Sequence, residues 1–256
     1  MIKSLQMEIR TVGTKVYHKE GNLMKNLSEV IKELILSLGA DMVGIGDLSM
    51  LPTMDRKDMP LGISVVMAYH RQDVLGIEDG PTEDYYRAYQ SINDKMDAII
   101  FEGAKFLKQL GYEAIAQTNE EVAKVETKYD SVLPHKTVAT RAGIGWIGKN
   151  AVLVTKQYGS AIRISSILTN APLMVDSPID ESNCKGCKKC MEECPGGAIK
   201  GNNWNVKTYR EELLDPVKCR AKARELSWIR IEREISLCGK CILVCPFTQK
   251  YLREEK

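Results

Sequence analysis

The chain has 256 residues, of which 44% are apolar and 27% charged, the balance of an ordinary globular protein and not of a disordered or membrane-embedded one. That length allows a core domain with a smaller one appended. Thirty-six Lys and Arg against thirty-four Asp and Glu leave a net charge of +2, which excludes a global field that would gather nucleic acid.

The first ten residues mix charge with apolar side chains and contain no signal-peptide stretch. Nowhere does the chain approach the run of about 18 apolar residues needed to span a bilayer. The expectation is a cytoplasmic protein without a membrane span.

In chain order, Leu27, Val30, Ile31, Leu34, Ile35 and Leu38 recur at helical spacing, with Gly39 as a stop. Residues 41–45 and 63–68 read as short buried strands around a polar loop containing Pro52 and Pro60. Residues 82–110 predict a long helix with Tyr85, Tyr89, Ile92, Met96, Ile99, Phe106 and Leu110 on one face, a stripe expected to pack in the core. A strand at 114–118 follows. Residues 136–141 read as helix, 143–149 as a glycine-rich turn, and 151–154 and 162–168 as strands. This is the pattern of an α/β or α+β sheet domain. Its character changes after Ser177, because every cysteine lies beyond that point. Two domains are therefore expected, residues 1–177 and residues 178–256.

The eight cysteines need a purpose other than disulfides, since cytosolic thiols are kept reduced. Cys184, Cys187, Cys190 and Cys194 obey C-x2-C-x2-C-x3-C and are followed by Pro195, the bacterial ferredoxin signature in which the fourth cysteine serves the other cluster. Cys238-x2-Cys241-x3-Cys245-Pro246 forms a second motif that lacks its first cysteine, which Cys219 supplies from a distance. The expected ligands are Cys184, Cys187, Cys190 and Cys245 for one 4Fe-4S cluster, and Cys194, Cys219, Cys238 and Cys241 for the other. Two four-cysteine zinc sites would use the same sulfurs, but zinc ribbons favour paired C-x2-C knuckles over a C-x2-C-x2-C triplet with Cys-Pro ends. Lys185, Lys188 and Lys189 lie between these ligands, either as a solvated face or as a surface that screens the cluster or docks an acidic donor.

Gly143-Ile-Gly145-Trp-Ile-Gly148-Lys149-Asn150 satisfies G-x-G-x-x-G and nearly satisfies the P-loop pattern. Both nucleotide readings fail on context, because a phosphate loop follows a strand and opens a helix. Here a helix precedes and a strand follows, and Asn150 replaces the magnesium-binding hydroxyl. The glycines are expected to let the backbone approach a large flat ligand.

Leu133-Pro-His-Lys-Thr-Val-Ala-Thr-Arg-Ala-Gly-Ile-Gly-Trp-Ile-Gly-Lys149, then Tyr158-Gly-Ser160 and Ile167-Leu-Thr169, joined to the two cysteine motifs, resembles the epoxyqueuosine reductase family, distant relatives of corrinoid reductive dehalogenases. The resemblance runs from about Asp130 to Phe247. It implies a nitroreductase-like α+β domain holding base-off cobalamin, followed by a ferredoxin-like domain with two 4Fe-4S clusters. None of His18, His70 and His135 stands in the D-x-H-x-x-G setting of proteins that bind cobalt through histidine.

By the same resemblance, Gly143, Gly145, Trp146, Gly148, Lys149, Leu153, Ser160, Ile164 and Gly239 would bind the cobalamin, with Cys238 and Gly239 nearest to it. Asp130 would donate a proton to the substrate. Its bland role is a loop cap beside Ser131. His135 and Lys136 stand where the family has Glu-Arg, and the chain ends at Lys256 without the family's helical repeats. The function implied is reduction of a small molecule or modified nucleoside, with electrons from an external ferredoxin or flavodoxin. tRNA is not carried over as substrate. The rival function is a two-cluster electron-transfer or corrinoid-activating protein with no substrate chemistry of its own.

Overall fold

The computed structural model describes residues 20–118 and 133–253, with side chains from residue 24 onward. Helix α1 (Glu20–Ser37) buries Leu27, Ile31 and Ile35 at helical spacing and stops before Gly39, whose φ of +109° suits glycine. Strands β1 (Met42–Asp47) and β2 (Leu61–Ala68) follow, then the short α2 (Arg71–Leu75) and the long α3 (Glu83–Gln109). Thr82 caps α3 by accepting from the Tyr85 amide at 3.2 Å. The expected stripe on α3 holds through Ile99 and then differs. Phe106 is half-buried and Leu110 exposed, while Ile100, Ala104 and Leu107 are buried, because the face against the sheet advances by the 3.6-residue turn.

Among the described residues, β3 (Ala114–Gln117) is followed by α4 (His135–Arg141). The glycine turn is not plain loop: β4 (Trp146–Ile147) lies inside it and pairs antiparallel with β5 (Leu153–Val154). The expected strand at 151–154 is thereby shortened, with Ala151 at φ +59°. β6 (Ile162–Thr169) completes a four-stranded antiparallel sheet of order β1-β2-β6-β3.

Side chains alternate across this sheet as the pleat requires. Ile63, Val65 and Ile167 point into the layer with α1 and α3. Val66, Ile162 and Leu168 face the opposite side, where α4 contributes Val138, Ala139 and the adjoining Ala142. α4 lies unusually close to β1. A Cβ on Gly46 would stand 2.6 Å from the Arg141 carbonyl carbon and 2.7 Å from the Ala142 nitrogen.

The cysteine-bearing end contains α5 (Lys189–Glu192), α6 (Arg210–Leu213), α7 (Pro216–Ile231), α8 (Lys240–Leu243) and α9 (Pro246–Arg253). α7 was not read from apolar periodicity, yet it has a strong start: Asp215 accepts from the Val217 and Lys218 amides and Pro216 takes the first turn. The two ends of the chain share core. Tyr69, Val74, Ile77 and Tyr85 pack with Leu237, Leu243 and Leu252. α9 is further tied down by the Tyr251 hydroxyl, which donates to the Tyr69 carbonyl at 2.8 Å, and by Thr248 Oγ1, which accepts from the Ser160 amide at 2.9 Å.

Gly46→Ala should force α4 away from β1 and lower stability by about 1–3 kcal/mol, the usual cost of overpacking. Urea unfolding measures it, and a wild-type midpoint would show that α4 yields without cost.

Candidate functional site

The eight thiols are all free and fall into two groups. Cys184, Cys187, Cys190 and Cys245 line one cavity together with Lys149, Asn150, Val154, Pro246 and Phe247. Cys194, Cys219, Cys238 and Cys241 neighbour one another, each close enough to raise the cost of charge on the next. A zinc site would draw four sulfurs to about 2.3 Å from one ion. Among the described residues no three His, Cys, Asp or Glu side chains converge in that way.

Local structure explains the Cys-Pro pairs. Pro246 opens α9 directly after Cys245, so the Phe247 and Thr248 amides turn toward the Cys245 sulfur. Cys238 is served similarly by the Lys240 amide at the start of α8. Cys194 Sγ accepts from the Ala198 amide at 3.4 Å. Even so, ionisation is costly. Burial first and neighbouring sulfurs second push Cys190 up to about 11 and Cys241 further. Bound iron would remove that penalty by supplying the opposite charge.

The surroundings suit an anionic group with sulfur acceptors. Ser160 Oγ and Trp146 Nε1 are buried without hydrogen-bond partners; Ser160 sits beside the Cys245 sulfur and Trp146 packs in the same cluster as Cys245 and Cys184. Trp146 also meets Phe247 edge-on, with ring centroids 4.9 Å apart.

The described residues also form a second cavity. This cleft, of about 350 Å³, is lined by His135, Lys136, Leu153, Ser160, Ile162, Arg163, Ile164, Arg210 and Ile242, among others. It brings together three of the expected corrinoid residues, Leu153, Ser160 and Ile164. Ser160 lines this cleft and sits beside the Cys245 sulfur, and Ile242 is the chain neighbour of Cys241.

The other expected corrinoid residues lie elsewhere. Cβ positions on Gly143, Gly145 and Gly148 are taken by Ser177, Val154 and the Asn150 side chain. Folding the loop back into the β4–β5 hairpin therefore uses the close approach that the glycines permit. Trp146 is buried in the core, and Lys149 lines the cysteine cavity. Gly239, at φ +80°, packs on Ile77 and the Tyr85 ring. No helix follows the loop, in keeping with rejection of the nucleotide motifs. Asp130 lies outside the described residues. Lys185, Lys188 and Lys189 are exposed.

His135, Arg163, Arg210 and Ile242 were missed as cleft residues. They come from separate elements, and no sequence spacing unites them. His135 Nδ1 lies 2.9 Å from Ser166 Oγ. Burial, then the Arg163 guanidinium, lowers its pKa from 6.5 to about 4, so it is neutral at pH 7. Arg163 itself is held by Asn93 Oδ1 at 2.9 Å and by the Tyr89 ring, 4.5 Å from its centroid.

Residues 183–248 match the family described as a 4Fe-4S double cluster binding domain. The epoxyqueuosine reductase of Bacillus cereus is 30% identical over 171 residues, which are 64% of this chain and 38% of that protein. A reductive dehalogenase structure, described in terms of B12-dependent dehalogenation, superposes with a TM-score of 0.67 at 23% identity, covering 87% of this chain and 32% of the other. An epoxyqueuosine reductase solved with an epoxyqueuosine-modified tRNA stem loop gives 0.57 at 20% identity, covering 88% and 66%. The chain thus spans well under two thirds of the curated relative's length.

The pKa of His135 predicts a pH effect on stability. Below pH 6.5 the unfolded chain takes up a proton that the folded chain refuses until about pH 4. Stability is full above that window and falls through it on acidification, by up to about 1.4 kcal/mol per pH unit. His135→Asn should flatten the slope in urea titrations between pH 7 and 4, and an unchanged slope would contradict it. The chain resembles epoxyqueuosine reductases over 64% of its length and carries a 4Fe-4S double cluster binding domain at residues 183–248.

Proposed function

We propose that the protein is a cobalamin-dependent iron-sulfur reductase of the epoxyqueuosine reductase type, acting in the cytoplasm. In this reading residues 1–177 form a nitroreductase-like α+β unit and residues 178–256 a ferredoxin-like one. Cys184, Cys187, Cys190 and Cys245 hold one cluster, and Cys194, Cys219, Cys238 and Cys241 hold the other, so each motif lends a ligand to its counterpart. The observation that carries the reading is that Ser160 lines the 350 Å³ cleft and also sits beside the Cys245 sulfur, while Ile242 of the same cleft is the chain neighbour of Cys241.

The cleft's apolar Leu153, Ile162, Ile164 and Ile242 suit the face of a flat macrocycle, and His135, Lys136, Arg163 and Arg210 suit its carbonyl-bearing rim. When bound, the clusters would supply single electrons and the corrinoid a low-valent metal able to reduce a substrate. Neutral His135 keeps positive charge low at the wall it shares with Arg163. Asp130, five positions before His135 in sequence, donates the proton that reduction of a carbon or oxygen centre requires. An external ferredoxin or flavodoxin provides electrons. The substrate is a small molecule or a modified nucleoside, the latter supported by the relative solved with epoxyqueuosine-modified tRNA.

Anaerobically purified protein mixed with cobalamin should show the EPR spectrum of base-off cobalt and should reduce epoxyqueuosine, as nucleoside or in tRNA. Asp130→Asn should bind and reduce cobalamin normally yet turn over about 100-fold more slowly. Equal turnover would remove Asp130 from the chemistry. Failure of the wild type to bind cobalamin would leave only the electron-transfer function.

A further inference from the structure

Lys149, which the family resemblance gives to the corrinoid, lies outside the cleft proposed for it. Its residue is only 5% exposed, and it lines the cavity of Cys184, Cys187, Cys190 and Cys245. No carboxylate among the described residues forms an ion pair with it. A buried ammonium needs an opposite charge nearby, because removal from water costs several kcal/mol in real proteins. The neighbouring wall offers none: Asn150 is neutral and directs its amide to the Cys241 carbonyl at 3.4 Å, and Val154, Pro246 and Phe247 are apolar. The remaining candidates are the four sulfurs.

We infer that Lys149 is the charge partner of the cluster bound by Cys184, Cys187, Cys190 and Cys245, and that it raises the reduction potential of that cluster. This rests on the proposal that those cysteines hold a 4Fe-4S cluster. Four thiolates and four sulfides outweigh the iron charge, so the assembly is anionic and gains one further negative charge when it takes up an electron. A cation held in the same cavity therefore favours the reduced form, and in a site shielded from water the effect is large. The buried donor Ser160 Oγ beside the Cys245 sulfur, and Trp146 Nε1 in the cluster that holds Cys245 and Cys184, act in the same direction. The other cysteine group differs. Its nearby cation, Lys240, is already engaged by Glu193 at 3.6 Å and by the Glu78 carbonyl at 2.8 Å.

The test is an EPR-monitored redox titration of the full chain, purified anaerobically, for wild type, Lys149→Met, Lys149→Gln and Lys149→Arg. The signal lost in Cys245→Ala identifies the cluster concerned. Lys149→Met and Lys149→Gln should make its reduction at least tenfold less favourable, a fall of about 59 mV for one electron. The other cluster should be unmoved and Lys149→Arg should stay near wild type. An unchanged potential in Met and Gln variants with full iron content, or an equal shift of both clusters, would overturn the inference. Iron lost from the Met and Gln variants but kept in Arg supports charge pairing; iron lost from all three overturns it, because shape and not charge would then matter. A wild type without any 4Fe-4S signal would instead remove the cluster proposal itself.

Discussion

Packing eight thiols into one end of a small protein is a constraint that the polypeptide alone does not satisfy. Burial and mutual repulsion hold Cys190 near 11 and Cys241 higher, so charge on these two sulfurs is costly unless iron supplies the compensating one. Much of the local architecture serves that end. The starts of α8 and α9 turn amides toward Cys238 and Cys245, and Ser160 and Trp146 bring donors with no other use. A metal-bound state satisfies these groups together, which links cofactor binding to folding.

The same constraint joins the two ends of the chain. Cys245 reaches the first cysteine group only because α9 folds back and is anchored by Thr248 to Ser160 and by Tyr251 to Tyr69. That anchoring packs Leu252 with Val74, Ile77 and Tyr85.

The sequence showed its elements unevenly. α1 and α3 were legible because periodicity is local, and the cysteine groups because ligand spacing follows cluster geometry. The sheet order β1-β2-β6-β3 joins strands far apart in the chain, and no local pattern states it. α7 hid behind a charged composition, although Asp215-Pro216 marked its start. The glycine loop shows a use of its residues that the motif alone does not state: the close approach they permit is taken up by Ser177, Val154 and Asn150, which shapes a hairpin. That hairpin turns Lys149 toward the cysteines while leaving Leu153 on the cleft.

The central claim is that these sulfurs were arranged for iron and sulfide and not for zinc or for each other. Iron and acid-labile sulfide in anaerobically purified protein, measured beside zinc, test it most directly. The account predicts about eight irons and eight sulfides per chain, two clusters of four each, with little zinc and visible absorption that is partly bleached on reduction. Near-stoichiometric zinc in a colourless protein, with no sulfide, would contradict it.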